Sequence, residues 1–263
     1  WDGNDIITSV AGNDILDGDS GNDVINGGGG DDVLNGGIGD DILQGGSGDD
    51  VYIFGNNDGK DIVRDKYDEY AFRHYNAGED TLKFIDGITA SDIVAKIDGN
   101  NIVLAIKEDG KTLDELSNKI TLQDWYNSYN RIETIVFDDG ATLHGTDAIL
   151  SLVATEGDDV IKSTELALNL DAGAGDDVIT TTNSSSNTVH GGDGNDTINS
   201  SLGTNTIYGD NGNDTITTGS GNDTICGGND NDVIGTNSGD DVIIGGKGDD
   251  ILNGSYGSDT YIF

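Results

Sequence analysis

The 263-residue chain has no proline, no methionine and one cysteine, and only 12 of its residues are lysine or arginine. The lone Cys226 excludes an internal disulfide, so no covalent staple holds the fold. Twelve basic residues against 50 acidic ones leave a formal charge of −38. That balance disfavours a nucleic-acid-binding surface, which needs clustered Lys and Arg, and equally disfavours direct docking on anionic lipid. No run of about 18 apolar residues is present, which excludes a transmembrane helix. Hydrophobic residues amount to 33%, well short of the roughly 45–50% of an ordinary globular domain. No leader peptide is visible, and the chain begins at Trp1 within a repeat, so it is expected to be a piece of a larger protein.

What the chain has instead is glycine, 42 residues of it, and aspartate. Acidic, glycine-rich polymers stay unfolded unless something neutralises their charge. The aspartates are strictly periodic. Asp5, Asp14, Asp23, Asp32, Asp41 and Asp50 stand nine residues apart. Glycine stands two residues before each (Gly3, Gly12, Gly21, Gly30, Gly39, Gly48), and a large apolar residue two after (Ile7, Leu16, Ile25, Leu34, Leu43, Tyr52). A second array starts at Asp159 and Asp177, with Leu168 in a degenerate copy between them. It slips by one residue near Ser184–Ser186, places Asn187 at the Asp position, and then runs through Asp196, Asn205, Asp214, Asp223, Asp232, Asp241, Asp250 and Asp259.

The pattern Gly-Gly-x-Gly-x-Asp-x-U-x, best kept at Gly36–Gln44, resembles the RTX (repeats-in-toxin) nonapeptide, a calcium-binding β-helix repeat. The resemblance covers about two thirds of the chain and implies an all-β fold with two parallel β-roll blocks, in which eighteen residues complete a turn. Glycine provides the φ > 0 turns, and the apolar residue of each short strand points inward. Aspartates eighteen apart would then stack, with a cation between stacked loops held by carboxylate and carbonyl oxygens. An all-oxygen, flexible, many-coordinate site suits Ca2+; zinc needs Cys or His clusters, and His74, His144 and His190 are scattered.

The metal-ligating candidates are accordingly Asp5, Asp14, Asp23, Asp32, Asp41, Asp50, Asp159, Asp177, Asp196, Asp214, Asp223, Asp232, Asp241, Asp250 and Asp259. Gly12, Gly21, Gly30, Gly39, Gly48, Gly212, Gly221, Gly239 and Gly248 contribute the loop backbone. Four Asp pairs eighteen apart in the first array and six in the second give ten expected ions, whose +20 would bring −38 to −18. Asn205/Asp223 is a weaker eleventh, and the region around Leu168 and Asn187 is expected to bind poorly.

Between the arrays the period disappears. Strand signals occur at Thr81–Ile85, Ile102–Ile106, Lys119–Leu122 and Ile132–Phe137, and short helices are expected at Leu113–Ser117 and Thr146–Val153. The expected division is a first roll over 1–63, a small, mostly-β capping domain over 64–154, and a second roll over 155–263. Tyr52–Gly55 with Asp58–Ile62 resembles a terminating copy of such arrays. Asp80–Phe84 and Ile132–Gly140 resemble the haemolysin-type calcium-binding related domain, which implies a cap over the open roll end. Asp259–Phe263 repeats Asp50–Phe54, so a further cap and further array-plus-cap units are expected in the parent chain.

No nucleophile elbow, HExxH helix or phosphate loop is present, and no enzyme is expected. His190 and Cys226 should point outward, His144 should lie on a solvated hairpin, Trp125, Tyr126 and Tyr129 should be cap aromatics, and Tyr67–Tyr75 a surface loop. The resemblance implies a segment of a bacterial protein exported by type I secretion machinery, which folds on calcium at the secreted, extracellular or cell-surface destination. A toxin or haemolysin-like parent is favoured; an adhesin or surface-layer spacer and the tail of a secreted lipase or protease remain open. Ice binding is not expected, because Ala11, Ser20, Gly29 and Ile38 give no regular Thr/Asn ladder.

Overall fold

The Asp-x-apolar-x half of each nonapeptide becomes a strand, and the glycine-rich half turns the chain through positive φ, for example at Gly39 (φ 156) and Gly239 (φ 145). A Cβ at either glycine would overlap the carbonyl of the glycine eighteen residues earlier, so close stacking as well as backbone conformation demands the bare residue. The structure, a computed structural model, describes residues 2–65, 78–125, 127, 130–154, 157–163, 169–182 and 186–262. Two compact units form, residues 1–152 and 153–263.

In the first unit, successive strands alternate between two sheets. Ile6–Thr8, Val24–Gly29 and Ile42–Ser47 pair in parallel in one; Ile15–Asp17, Val33–Asn35 and Val51–Phe54 pair in parallel in the other. Registers advance by eighteen, as in Ile25↔Leu43 and Leu34↔Tyr52. Ile25, Leu34, Leu43 and Tyr52 are fully buried between the sheets.

The segment after the array continues these same two sheets. Lys60–Val63 pairs in parallel with Ile42–Ser47, and Lys119–Leu122 with Lys60–Val63. On the other side Asp80–Phe84 follows Val51–Phe54, and Ile132–Val136 follows Asp80–Phe84. Antiparallel strands then end both sheets: Asn101–Ile106 with Ile93–Asp98 on one, Thr142–His144 on the other. The expected strands are present, and Ile93–Asp98 and Thr142–His144 are strands in addition to them. The expected helices are shorter, a 3-10 turn at Leu113–Glu115 and an α-helix at Thr146–Leu150. Aromatic residues fill this part: Phe84 stacks on Phe137 at 5.4 Å, Phe54 meets Phe84 edge-on at 6.0 Å, and buried Trp125 donates from Nε1 to the Ile132 carbonyl at 2.9 Å.

The second unit is two six-stranded, all-parallel sheets. One runs from Val160–Ser163 to Ile251–Asn253, the other from Asn169–Asp171 to Thr260–Ile262. Ile161, Leu170, Ile179, Val189, Ile198, Ile207, Ile216, Ile225, Ile234 and Ile243 form its interior. Each such side chain contributes about 1.5–3 kcal/mol by leaving water. Among the described residues no helix is long and apolar enough to cross a membrane. His74, Leu168, Tyr126, Tyr129, all of Tyr67–Tyr75 and part of the Ser184–Ser186 slip lie outside the described residues.

Candidate metal centres

The turn half of each repeat delivers its aspartate to a stacked column. Within a column every aspartate accepts, through Oδ1, the backbone N–H of the aspartate one turn earlier: Asp5 to Asp23 at 2.7 Å, Asp14 to Asp32 at 2.8 Å, Asp23 to Asp41 at 2.7 Å and Asp32 to Asp50 at 2.8 Å. In the second unit Asp159 donates to Asp177, Asp177 to Asp196, Asp196 to Asp214, Asp214 to Asp232 and Asp232 to Asp250, at 2.8–3.0 Å. Asp177 and Asp196 are nineteen apart; the roll absorbs the one-residue slip and restores the column, a pairing that a strict count of eighteen misses. The other column runs Asn187, Asn205, Asp223, Asp241, Asp259.

One oxygen per carboxylate is thereby satisfied and the other is not. The Oδ2 atoms of Asp23, Asp32, Asp41, Asp50, Asp177, Asp196, Asp214, Asp223, Asp232 and Asp241 are buried with no hydrogen-bond partner. Asp5, Asp14, Asp159, Asp250 and Asp259, near the outer turns, are half-buried. A buried, uncompensated carboxylate is among the costliest features a fold can carry. Burial therefore pushes Asp32, Asp41, Asp50, Asp177, Asp196, Asp214, Asp223 and Asp232 up from their ordinary 3.8, with neighbouring carboxylates adding to the rise and the donated N–H opposing it. Asp41, Asp177 and Asp232 reach about 6, Asp50 and Asp214 about 7.

Each orphan oxygen faces a cradle. A Cβ placed on Gly18, Gly27, Gly36, Gly45, Gly191, Gly209, Gly227 or Gly245 would overlap the Oδ2 of the aspartate five residues on. The carbonyl of the glycine eighteen further on closes several of these cradles, as Gly36 does over Gly18 and Gly245 over Gly227. Carboxylate, carbonyl and open space converge, which fits a calcium ion. The glycines named from sequence (Gly12, Gly21, Gly30, Gly39, Gly48, Gly212, Gly221, Gly239, Gly248) all have positive φ and make the turn. The glycine that leaves room beside the carboxylate lies three residues earlier, and the first Gly of the Gly-Gly-x-Gly motif was its signal.

The Asn187 column of the second unit is built differently. Where a glycine floor is expected stand Thr181, Ser200, Thr218 and Thr236, all buried. Asn205 Nδ2 donates to Asp223 Oδ1 at 2.9 Å and to the carbonyls of Leu202 and Gly203 at 3.2 and 3.3 Å. Asn187 Nδ2 reaches Asn205 Oδ1, Thr181 Oγ1 and Ser200 Oγ. Amide and hydroxyl donors stand here where a cation would.

The columns also continue past the first array, which was not foreseen. Asp41 N–H donates to Asp61 at 3.0 Å, Asp50 N–H to Asp80 at 2.8 Å, and Asp80 N–H to Glu133 Oε2 at 2.9 Å. Burial pushes Asp61 up to about 8 and raises Asp80, with Asp65 beside it adding to the rise. The signal was present in Gly59-Lys60-Asp61 and Gly78-Glu79-Asp80, copies of the Gly-x-Asp triplet displaced by intervals of twenty and thirty.

His190 and Cys226 lie half-exposed on the outer face; His190 stacks on Tyr208 at 4.3 Å and its Nδ1 bonds Asp210 Oδ2 at 2.8 Å. His144 sits on an exposed hairpin, bonded to Thr134 Oγ1 at 2.7 Å.

Stacked carboxylates, carbonyl-lined cradles and parallel two-sheet coils define a calcium-binding β-roll. The RTX calcium-binding nonapeptide repeat (4 copies) matches residues 2–34, 26–61, 169–198, 181–214, 200–234 and 235–262, more than half of the chain, and the chain belongs to this family. The haemolysin-type calcium binding protein related domain matches 101–147. Repeats of this kind are structural rather than catalytic, and typical of secreted proteins. No curated protein matches the chain. Seven chains of solved structure do. Among them is a hyperactive, Ca2+-dependent, β-helical antifreeze protein from an Antarctic bacterium, at 17% identity and a TM-score of 0.25, over 98% of this chain and 83% of that one. A score this low carries no argument about function.

Proposed function

We propose that the chain is a calcium-responsive folding segment of a large bacterial protein exported by type I secretion, of toxin or haemolysin type. The observation that carries the reading is the column of buried Oδ2 atoms without partners. In calcium-poor cytosol, their mutual repulsion and the glycine entropy keep the chain unfolded and threadable. Outside, sites of extracellular type bind calcium with dissociation constants on the order of 10⁻⁴–10⁻³ M, and folding and metal binding become one event. The ligands are the column aspartates with loop carbonyls, about ten ions in all, one for each pair of aspartates eighteen residues apart in the arrays. The glycine-floored columns bind best and the Asn187 column least. Residues 64–154 cap the first roll, ending its sheets in antiparallel strands and covering its apolar end with Phe84, Phe137 and Trp125. Further array-plus-cap units and the secretion machinery are the expected partners, and the location is extracellular or cell-surface.

Far-UV circular dichroism during a calcium titration from a chelator-stripped start, with magnesium as control, tests this. A cooperative coil-to-β transition specific to calcium is expected. A β-rich spectrum in chelator, indifferent to calcium, would overturn it.

A further inference from the structure

The end of the first array differs chemically from its interior. In an interior turn, the Gly27 cradle is bounded by Asp32 Oδ2 and by the carbonyl of Gly45, eighteen residues on. One turn later the cradle at Gly45 is bounded by Asp50 Oδ2 and the Tyr52 hydroxyl. The strand Lys60–Val63 pairs with Ile42–Ser47 in the register Ile42↔Ile62 and Leu43↔Val63. Two residues further, that register sets Asp65 beside Gly45, where the interior turns have glycine. A carboxylate replaces a neutral carbonyl. Asp65 is fixed there by the Tyr52 hydroxyl, which donates to its Oδ1 at 2.9 Å, and by the Gly46 N–H at 3.1 Å. The Tyr52 hydroxyl in turn accepts the Gly45 N–H at 2.8 Å.

Asp80, next in the column, completes a triad: one oxygen from each of Asp50, Asp65 and Asp80 lies within 4.8 Å of the others, and all three residues are fully buried. No N–H or O–H donor reaches Asp50 Oδ2 or Asp80 Oδ2, and the Asp65 and Asp80 carboxyls lie close enough to share a proton when no cation is bound. Two of the three ligands lie outside the nonapeptides, and Asp65 belongs to no Gly-x-Asp triplet.

We propose that Asp50, Asp65 and Asp80 hold one calcium ion at the junction of the first roll and its cap, bound more tightly than the ions of the repeats. Affinity in oxygen sites rises with the number of charged ligands and the rigidity of the cage. Three buried carboxylates, one pinned by a tyrosine, exceed the interior cradles on both counts. Because Asp50 ends the array while Asp65 and Asp80 open the cap, the ion closes the chain across the junction and organises both sides together. Filled first, it gives the repeats a formed end on which to stack.

The proposal rests on the chain being calcium-binding, and its test separates the two readings. The full 263-residue chain and its Asp65→Asn variant, which retains an acceptor for Tyr52, are dialysed against buffered calcium and their metal content measured. At saturating calcium the variant should hold one ion fewer. With calcium lowered until the parent chain has lost nearly all its metal, one ion should remain on the parent and none on the variant. Equal contents at both levels would overturn the junction site while leaving the repeats as calcium sites; a parent chain without calcium at any level would overturn the repeat reading itself. A triad held together by shared protons would show equal metal contents together with a variant more stable in chelator. Should Asp65→Asn fail to fold, Tyr52→Phe keeps every carboxylate. Terbium emission sensitised at the first equivalent of metal should drop in that variant, and unchanged emission counts against the site.

Discussion

A single methyl group decides whether a turn of this roll can take an ion. Gly227 has an ordinary backbone conformation, so alanine is not strained there; its Cβ would nevertheless overlap Asp232 Oδ2 and lie 2.6 Å from the Gly245 carbonyl oxygen. Gly227→Ala should therefore remove one ion and raise the calcium midpoint roughly tenfold, about 1.4 kcal/mol, as read by metal content and circular dichroism. An unchanged ion count would mean the cradle is not the site. The converse applies at Asn205, whose Nδ2 bridges Asp223 and two loop carbonyls. Asn205→Asp exchanges three donated hydrogen bonds for a carboxylate facing a carboxylate. The variant should be less folded in chelator and gain one ion at saturation. The difference between the columns is half-visible in the sequence, where Asn at 187 and 205 predicts weak binding. Thr181, Ser200, Thr218 and Thr236 carried no message until stacking set them where the other column has glycine.

At the scale of the strand, the interior row and the outer row separate cleanly. Ile207 is fully buried, while Ile251, in the first position of its strand, is 64% exposed. Ile207→Ala should cost about 2–5 kcal/mol in urea unfolding with calcium present, and Ile251→Ala less than about 0.5 kcal/mol. Similar losses would contradict the inward register. This register was legible because the apolar residue keeps a fixed distance from its aspartate in every copy. Lys60–Val63 was legible as a terminating copy within the first roll, whereas the later strands were legible as strands but not as continuations of it. Their spacings of twenty and thirty break the period that made the arrays visible, and the sheets extend through them regardless, because backbone pairing Lys60↔Lys119 or Tyr52↔Leu82 is indifferent to loop length. Glu133 was still less accessible to sequence reading. It reaches the Asp80 N–H from the point where the register shifts between Ile132 and Thr134, and no pattern announces such a shift.

At the scale of the whole chain, protons and calcium should compete for the same oxygens, and the sign follows from the raised acids. Asp41, Asp177 and Asp232 at about 6, Asp50 and Asp214 at about 7, and Asp61 at about 8 all exceed the ordinary 3.8. Between those limits the calcium-free folded chain binds more protons than the unfolded chain, so its stability falls as pH rises. The stabilisation is fully present below the unfolded value near 4 and lost on passing through 6 to 8. In chelator, acidification from pH 8 to pH 4 should therefore recover β-structure, and the radius of gyration should contract from the roughly 57 Å expected of an unfolded chain this long. In calcium the spectrum should be flat near pH 8 while the calcium midpoint rises toward pH 5, because each bound ion must displace protons from its carboxylates. Circular dichroism and small-angle scattering across that range, with and without chelator, read both arms. A chelated chain that stays expanded at pH 4 would show that neutralising the columns is not sufficient for folding, and that calcium contributes through its coordination of the loop carbonyls rather than through charge alone.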